Sequence, residues 1–135
     1  MHGTFFVVGE AAAQNPDIIR RLWNEGNELG NHTYTQPHIA LVSPLRARME
    51  VNATERILES ITGHSTMLFR PPFGESADTS TVGDVDIPLL LQMQRKGYVT
   101  VGMNIDPKDY LKPSPTYIIN QVNKQLGDNH VSGVH

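Results

Sequence analysis

No cysteine occurs in these 135 residues, which excludes disulfide staples, thiolate zinc centres and a cysteine nucleophile and leaves the redox compartment open. No apolar run approaches the ~20 residues a helix needs to cross a bilayer, so no membrane span is expected in this chain. A basic excess is missing too. The formal net charge is −3 and the Lys and Arg residues are scattered, which argues against a nucleic-acid partner. There is no Gly-rich phosphate loop and no Gly-x-Ser-x-Gly elbow, so nucleotide binding and serine-hydrolase chemistry have no support. The segment after Met1 is too short and not basic enough for a secretion signal. It reads as a core strand that begins at once, and a domain opening this way implies that something upstream is missing.

What is present is a globular composition, 39% apolar and 19% charged, in a length that suits one domain with a hydrophobic core. The chain alternates. Thr4 to Val8 is a β-favouring run ended by Gly9. Asn15-Pro16 opens a helix, with Asn15 as N-cap and Ile18, Ile19, Leu22 and Trp23 on one face, stopped at Gly26. Glu28 to His32 reads as a strand running into a loop. Ser43-Pro44 starts a second helix, with Leu45, Met49, Ala53, Ile57 and Leu58 as its apolar positions and an end near Thr62-Gly63. Met67-Leu68-Phe69 is a short strand, and residues 75 to 86 are polar enough for a surface loop. A helix from Ile87 to Lys96 leads through Gly97 to a strand over Tyr98 to Ile105, and Ser114-Pro115 starts a last helix. Strand then helix, four times over, predicts an α/β fold with a parallel sheet, either doubly wound or part of a β/α barrel. In both, chemistry belongs where strands end and loops begin.

Three groups of residues sit at such points. After the second strand comes Asn31-His32-Thr33-Tyr34-Thr35-Gln36-Pro37-His38. A neutral imidazole at His32 can bind a metal, but the residue four positions on is Gln36, and His38 lies six positions on beyond a proline. A loop histidine is equally well a solvated surface residue. After the third strand, Arg70-Pro71-Pro72-Phe73-Gly74 holds an arginine on a stiff turn, fit to pair with a carboxylate or simply exposed. After the fourth, Asp106-Pro107-Lys108-Asp109-Tyr110 places two acids and an aromatic together, which fits catalysis or sugar stacking as well as a capped turn. Trp23 reads as core, His64 as a solvated residue at the far end of the sheet, and His2 and His130 have no partner in the sequence.

Taken together and in this order, these segments resemble the polysaccharide deacetylase family, also called the NodB-homology domain or carbohydrate esterase family 4. The resemblance covers nearly the whole chain. Thr4–Gly9 is similar to the family's second strand, Glu28–Thr35 to its metal-histidine segment, Arg70–Gly74 to its arginine motif and Asp106–Tyr110 to its Asp-x-x-Asp-Trp motif. It implies a distorted (β/α) barrel, of which residues 1–135 form a partial domain of about four strand–helix units lacking the first and last strands. It further implies a divalent metal, usually zinc, and hydrolysis of acetyl groups on a polysaccharide such as an N-acetylglucosamine polymer. The expected place of work is the cell envelope or outside the cell.

Carried onto this chain, the family's first histidine ligand is His32, and its second falls at Gln36, with His38 as an off-register substitute. Arg70 would orient the catalytic base, the Phe73 N–H would stabilise an oxyanion, Asp106 and Asp109 would be catalytic, and Tyr110 would line the groove with Phe73. The family's Thr-Phe-Asp-Asp strand would precede Met1 and its Leu-x-His strand would follow the last helix, so the chain is expected to be part of a larger polypeptide. The alternative is a non-catalytic carbohydrate-binding descendant, and Gln36 is the residue that favours it.

Overall fold

The computed structural model describes residues 2–74, 87–102, 105, 107 and 109–129. The expected loop over residues 75–86, Asp106, His130 and the C-terminal segment from Val131 lie outside them. The chain divides into two units, Met1–Gly102 and Met103–His135.

The first unit is built on a parallel sheet of β1 (Thr4–Val7), β2 (Glu28–Asn31), β3 (Leu68–Phe69) and β4 (Val99–Thr100). The strands lie side by side in chain order, β1-β2-β3-β4. A doubly wound sheet reverses direction at a switch point, whereas a barrel wall advances one strand at a time. Of the two architectures open from the pattern, the strand order matches the barrel wall.

The connections are helical: α1 (Gly9–Gln14) and α2 (Pro16–Asn24) before β2, α3 (Pro44–Thr62) before β3, and α4 (Ile87–Arg95) before β4. Local chemistry sets their ends. Ser43 Oγ accepts the Arg46 N–H and Pro44 occupies the first helical position, while Gly63 ends α3 at φ 77°. Asn15 stands at the N-cap of α2 and Pro16 at its first position, as expected, but the Asn15 side chain makes no cap bond there. Its Nδ2 donates to the Ala11 carbonyl, closing the C-terminus of α1, a helix the strand-ending reading of Gly9 had not anticipated.

Two cores form. Val7, Ala12, Ile19, Leu29 and Leu58 make one; Ile39, Ala47, Val51, Phe69 and Met93 make the other. Because α3 gives Leu58 to the first and Ala47 and Val51 to the second, it braces both. Its buried row is Ala47, Glu50, Val51, Thr54 and Leu58; of the expected positions Leu58 is in it and Ile57 packs against its core, while Leu45 and Met49 are not. Leu45 is 58% exposed and Met49 60%, and on α2 Ile18 is 58% exposed while Ile19 is buried. Apolarity alone misplaces the row because two of its inward positions are polar and bonded. His64, expected to be merely solvated, also lies against Trp23, the rings tilted by 34° with centroids 4.9 Å apart. Among the described residues, the expected strand Tyr98–Ile105 pairs with β3 at Val99 and Thr100.

In the second unit, a 3-10 turn over Asp109–Leu111 precedes α5 (Pro115–Asn129), whose first turn is held by Ser114 Oγ accepting the Tyr117 N–H.

Gly9 begins α1 where no side chain fits. A Cβ there would run into Thr54 Oγ1 and stand 2.6 Å from Tyr34 Cδ2 and 3.2 Å from the Thr54 backbone. Gly9→Ala should therefore lower stability by about 1–3 kcal/mol, read from urea denaturation midpoints.

Candidate active site at the strand ends

The ends of β1, β2 and β3 present one continuous set of backbone bonds. The His32 N–H donates to the Val7 carbonyl at 3.0 Å, and the Arg70 N–H donates to the Asn31 carbonyl at 2.9 Å. His32 thus leaves the sheet in register with both neighbours. Its Nδ1 lies 2.7 Å from the Arg70 carbonyl oxygen. A carbonyl only accepts, so the neutral ring carries its proton on Nδ1 and its lone pair on Nε2. Burial pushes the imidazole below its ordinary pKa; the carbonyl bond opposes this and the Arg70 charge adds to it. The neutral, ligating form is favoured.

After His32 the chain makes a strained loop. Thr33 and Gln36 both have left-handed backbones, at φ 66° and 53°. Asn31, fully buried, ties its near side. Its Oδ1 accepts the Thr33 N–H at 3.0 Å and its Nδ2 donates to the Val51 carbonyl at 2.9 Å. Glu50 ties the far side, its Oε2 accepting the N–H groups of Tyr34 at 3.0 Å and Thr35 at 2.7 Å. Glu50 Oε1 accepts the Thr35 hydroxyl at 2.8 Å and Arg46 Nε at 2.7 Å. From α1, Gly9 and Glu10 donate to the Thr33 and Tyr34 carbonyls at 2.9 and 3.0 Å. Burial alone would raise the Glu50 carboxyl, but the bonds from Thr35 and Arg46 outweigh it and hold the group below its ordinary range.

The expected arginine motif forms the other wall. Arg70 holds its guanidinium 5.5 Å from the centre of the Phe6 ring. Phe73 is left-handed at φ 58°, uncommon for so bulky a residue, and its exposed ring stacks on His38 with centroids 3.9 Å apart. The structure therefore brings His32 and Arg70 into contact and sets His38 against Phe73, while Gln36 stays exposed in the loop. Asp109 and Tyr110 are exposed residues of the second unit's turn, and Asp106 lies outside the described residues.

Among the described residues no group of three His, Cys, Asp or Glu side chains could hold a metal ion. His32 by itself fits a ligand's role, since a ring whose other N–H is anchored on a carbonyl is the usual arrangement at metal sites. The described residues do not make a metal centre.

Asn31, Thr35, Arg46 and Glu50 were not anticipated as site residues. Arg46 and Glu50 look like an ordinary helical i,i+4 surface pair, and the available signal was that Glu50 falls in one row with Ala47, Val51 and Thr54.

A parallel α/β wall with a fixed histidine and an Arg-Pro-Pro turn at its strand ends matches one side of a β/α-barrel frame. The family model for polysaccharide deacetylases matches residues 1–87, and the chain belongs to that family. The peptidoglycan-N-acetylmuramic acid deacetylase PdaC of Bacillus subtilis is 32% identical over 134 residues, 99% of this chain and 26% of PdaC. The solved PdaC structure matches with a TM-score of 0.77 at 31% identity, covering 92% of this chain and 55% of that one. A peptidoglycan-N-acetylglucosamine deacetylase of Bacillus cereus is 33% identical over 119 residues, 88% of this chain and 40% of its own length. The chain thus spans well under two thirds of these relatives. It also shares its fold, with a TM-score of 0.79 at 23% identity over 93% of this chain and 41% of the other, with BA3943, a CE4 family pseudoenzyme from Bacillus anthracis.

The Glu50 shift has a sign. A carboxyl held below the ordinary 4.5 stabilises the fold fully above that value, and the contribution is lost as pH falls through the folded-state value. Glu50→Gln should be less stable than the parent by about 1–3 kcal/mol near pH 7, with the gap narrowing as the pH falls below 4.5 in urea titrations.

Proposed function

We propose that this chain is the central part of a hydrolase that removes acetyl groups from an acetylated polysaccharide, with peptidoglycan-type N-acetylated sugars as the substrate class. The observation that carries the reading is the His32–Arg70 contact. It holds an imidazole at the end of β2 with its Nε2 lone pair directed away from its anchor. The names of PdaC and of the Bacillus cereus relative support the reaction and the glycan. They also support a place in the cell envelope.

In this reading residues 1–135 are one partial deacetylase domain within a larger polypeptide. Arg70 orients a catalytic carboxylate, the Phe73 N–H lies toward the developing oxyanion, and Asp106 and Asp109 contribute acid–base chemistry. The Phe73 ring offers the sugar a stacking surface, and Tyr110 of the second unit offers another. A divalent metal such as zinc, as the family uses, would polarise the acetyl carbonyl, but it needs donors beyond those of His32, Gln36 and His38. The second reading, a carbohydrate-binding module without catalysis, is favoured by Gln36 alone, since an amide is a poor substitute for an imidazole ligand.

A chimera in which this chain replaces the matching stretch of PdaC separates the two. The deacetylase reading expects acetate release from peptidoglycan fragments with zinc or cobalt present. Loss of an outer-shell partner alone costs about 10–100-fold, so Gln36→His should raise release by at least about tenfold. A chimera that binds the glycan yet releases no acetate, with or without Gln36→His, would establish the binding module instead.

A further inference from the structure

We propose that Glu50, with Arg46, is the positioning residue of the site: it holds the His32–Gln36 loop in its strained form and so fixes the ring of His32. This rests on the reading of His32 as a working member of the deacetylase site. Four observations meet on it. Glu50 is only 4% exposed, although it is a carboxylate on a helix whose neighbouring turn is open to water. Both of its oxygens are used, by two N–H groups, one hydroxyl and one guanidinium, all within 3.0 Å. Its partners Tyr34 and Thr35 lie between the two left-handed residues Thr33 and Gln36. Finally, the neighbouring carbonyl on α3, that of Val51, anchors Asn31 on the other flank of His32.

The physical logic follows. A left-handed backbone is unfavourable at an ordinary residue, so two within four positions relax unless something over-determines them. Charge-assisted bonds to consecutive N–H groups supply that constraint, and a neutral side chain supplies less of it. An amide at position 50 would also turn an N–H donor toward Arg46 or Thr35, where the carboxylate accepts. With the loop released, His32 is restrained only by its place at the end of β2, and the angle that gives the Nδ1–Arg70 bond is no longer enforced.

The experiment is nitrogen-15 NMR of the full chain, in the parent and in Glu50→Gln, Thr35→Val and Arg46→Gln, each of which removes a different part of the clamp. In the parent, His32 should carry its proton on Nδ1, and the Tyr34 and Thr35 amides should be protected from exchange. In Glu50→Gln those amides should exchange about tenfold faster or more. The His32 signals should then move toward the Nε2–H form common in water, while the chemical shifts of the Leu29 and Leu58 amides, in the core, stay as they were. A His32 tautomer that does not move although Tyr34 and Thr35 are released would overturn the proposal, reducing Glu50 to a fastener of the loop. Unchanged protection of those two amides would overturn it as well. Should Glu50→Gln unfold, the Thr35→Val and Arg46→Gln variants decide by the same two signals. None of these readouts uses turnover, so an inactive chimera would count against the deacetylase reading and leave the positioning role standing.

Discussion

A carboxylate removed from water is unfavourable unless its oxygens are bonded, and Glu50 meets that condition by taking four donors from two elements. This one arrangement links the parts of the first unit that matter for its site. Three of the donors belong to the loop after β2 and one to α3 itself, so the loop cannot shift without exposing or unpairing the acid. The same helix carries Val51 and Leu58 into two separate cores, which makes the support rigid. A loop that would be the most mobile part of such a sheet is thereby tied to its best-packed helix.

The strand ends then behave as a single unit. β1 hands its last carbonyl to His32, β2 hands its last to Arg70, and the Arg70 carbonyl turns back to the His32 ring. Geometry at the imidazole therefore depends on the register of three parallel strands as well as on the loop. Gly9, where a side chain would collide with Thr54 and Tyr34, lets α1 approach closely enough to donate to the loop's own carbonyls. Strain at Thr33 and Gln36 is held from both sides.

Much of this fold was legible wherever a single residue's chemistry decides the outcome. Ser43-Pro44 fixes one helix start and Gly63 its end, and the βα alternation fixes a parallel sheet. The residues at the strand ends were legible too, because topology sends chemistry there. The clamp was not. A helical row is found by its apolar members, and the row that matters on α3 contains Glu50 and Thr54 while Leu45 and Met49 face water. What places Glu50 inside is a loop sixteen and fifteen residues away whose N–H groups need an acceptor, and no local pattern reports such a partnership. Asn15 took the N-cap position as read, but its side chain, with two helix ends within reach, closed the earlier one.

Gln36 shows how shape and chemistry separate in such a site. Among the described residues, none of the bonds that hold the loop uses the Gln36 side chain: they come from the backbone at Gly9, Glu10, Thr33, Tyr34 and Thr35 and from Asn31, Glu50 and Arg46. The loop's conformation is thus indifferent to whether position 36 carries an imidazole or an amide. An imidazole at that position would leave the bonds of the clamp and of the sheet in place, so the loop's shape and the side chain carried at position 36 answer to separate constraints.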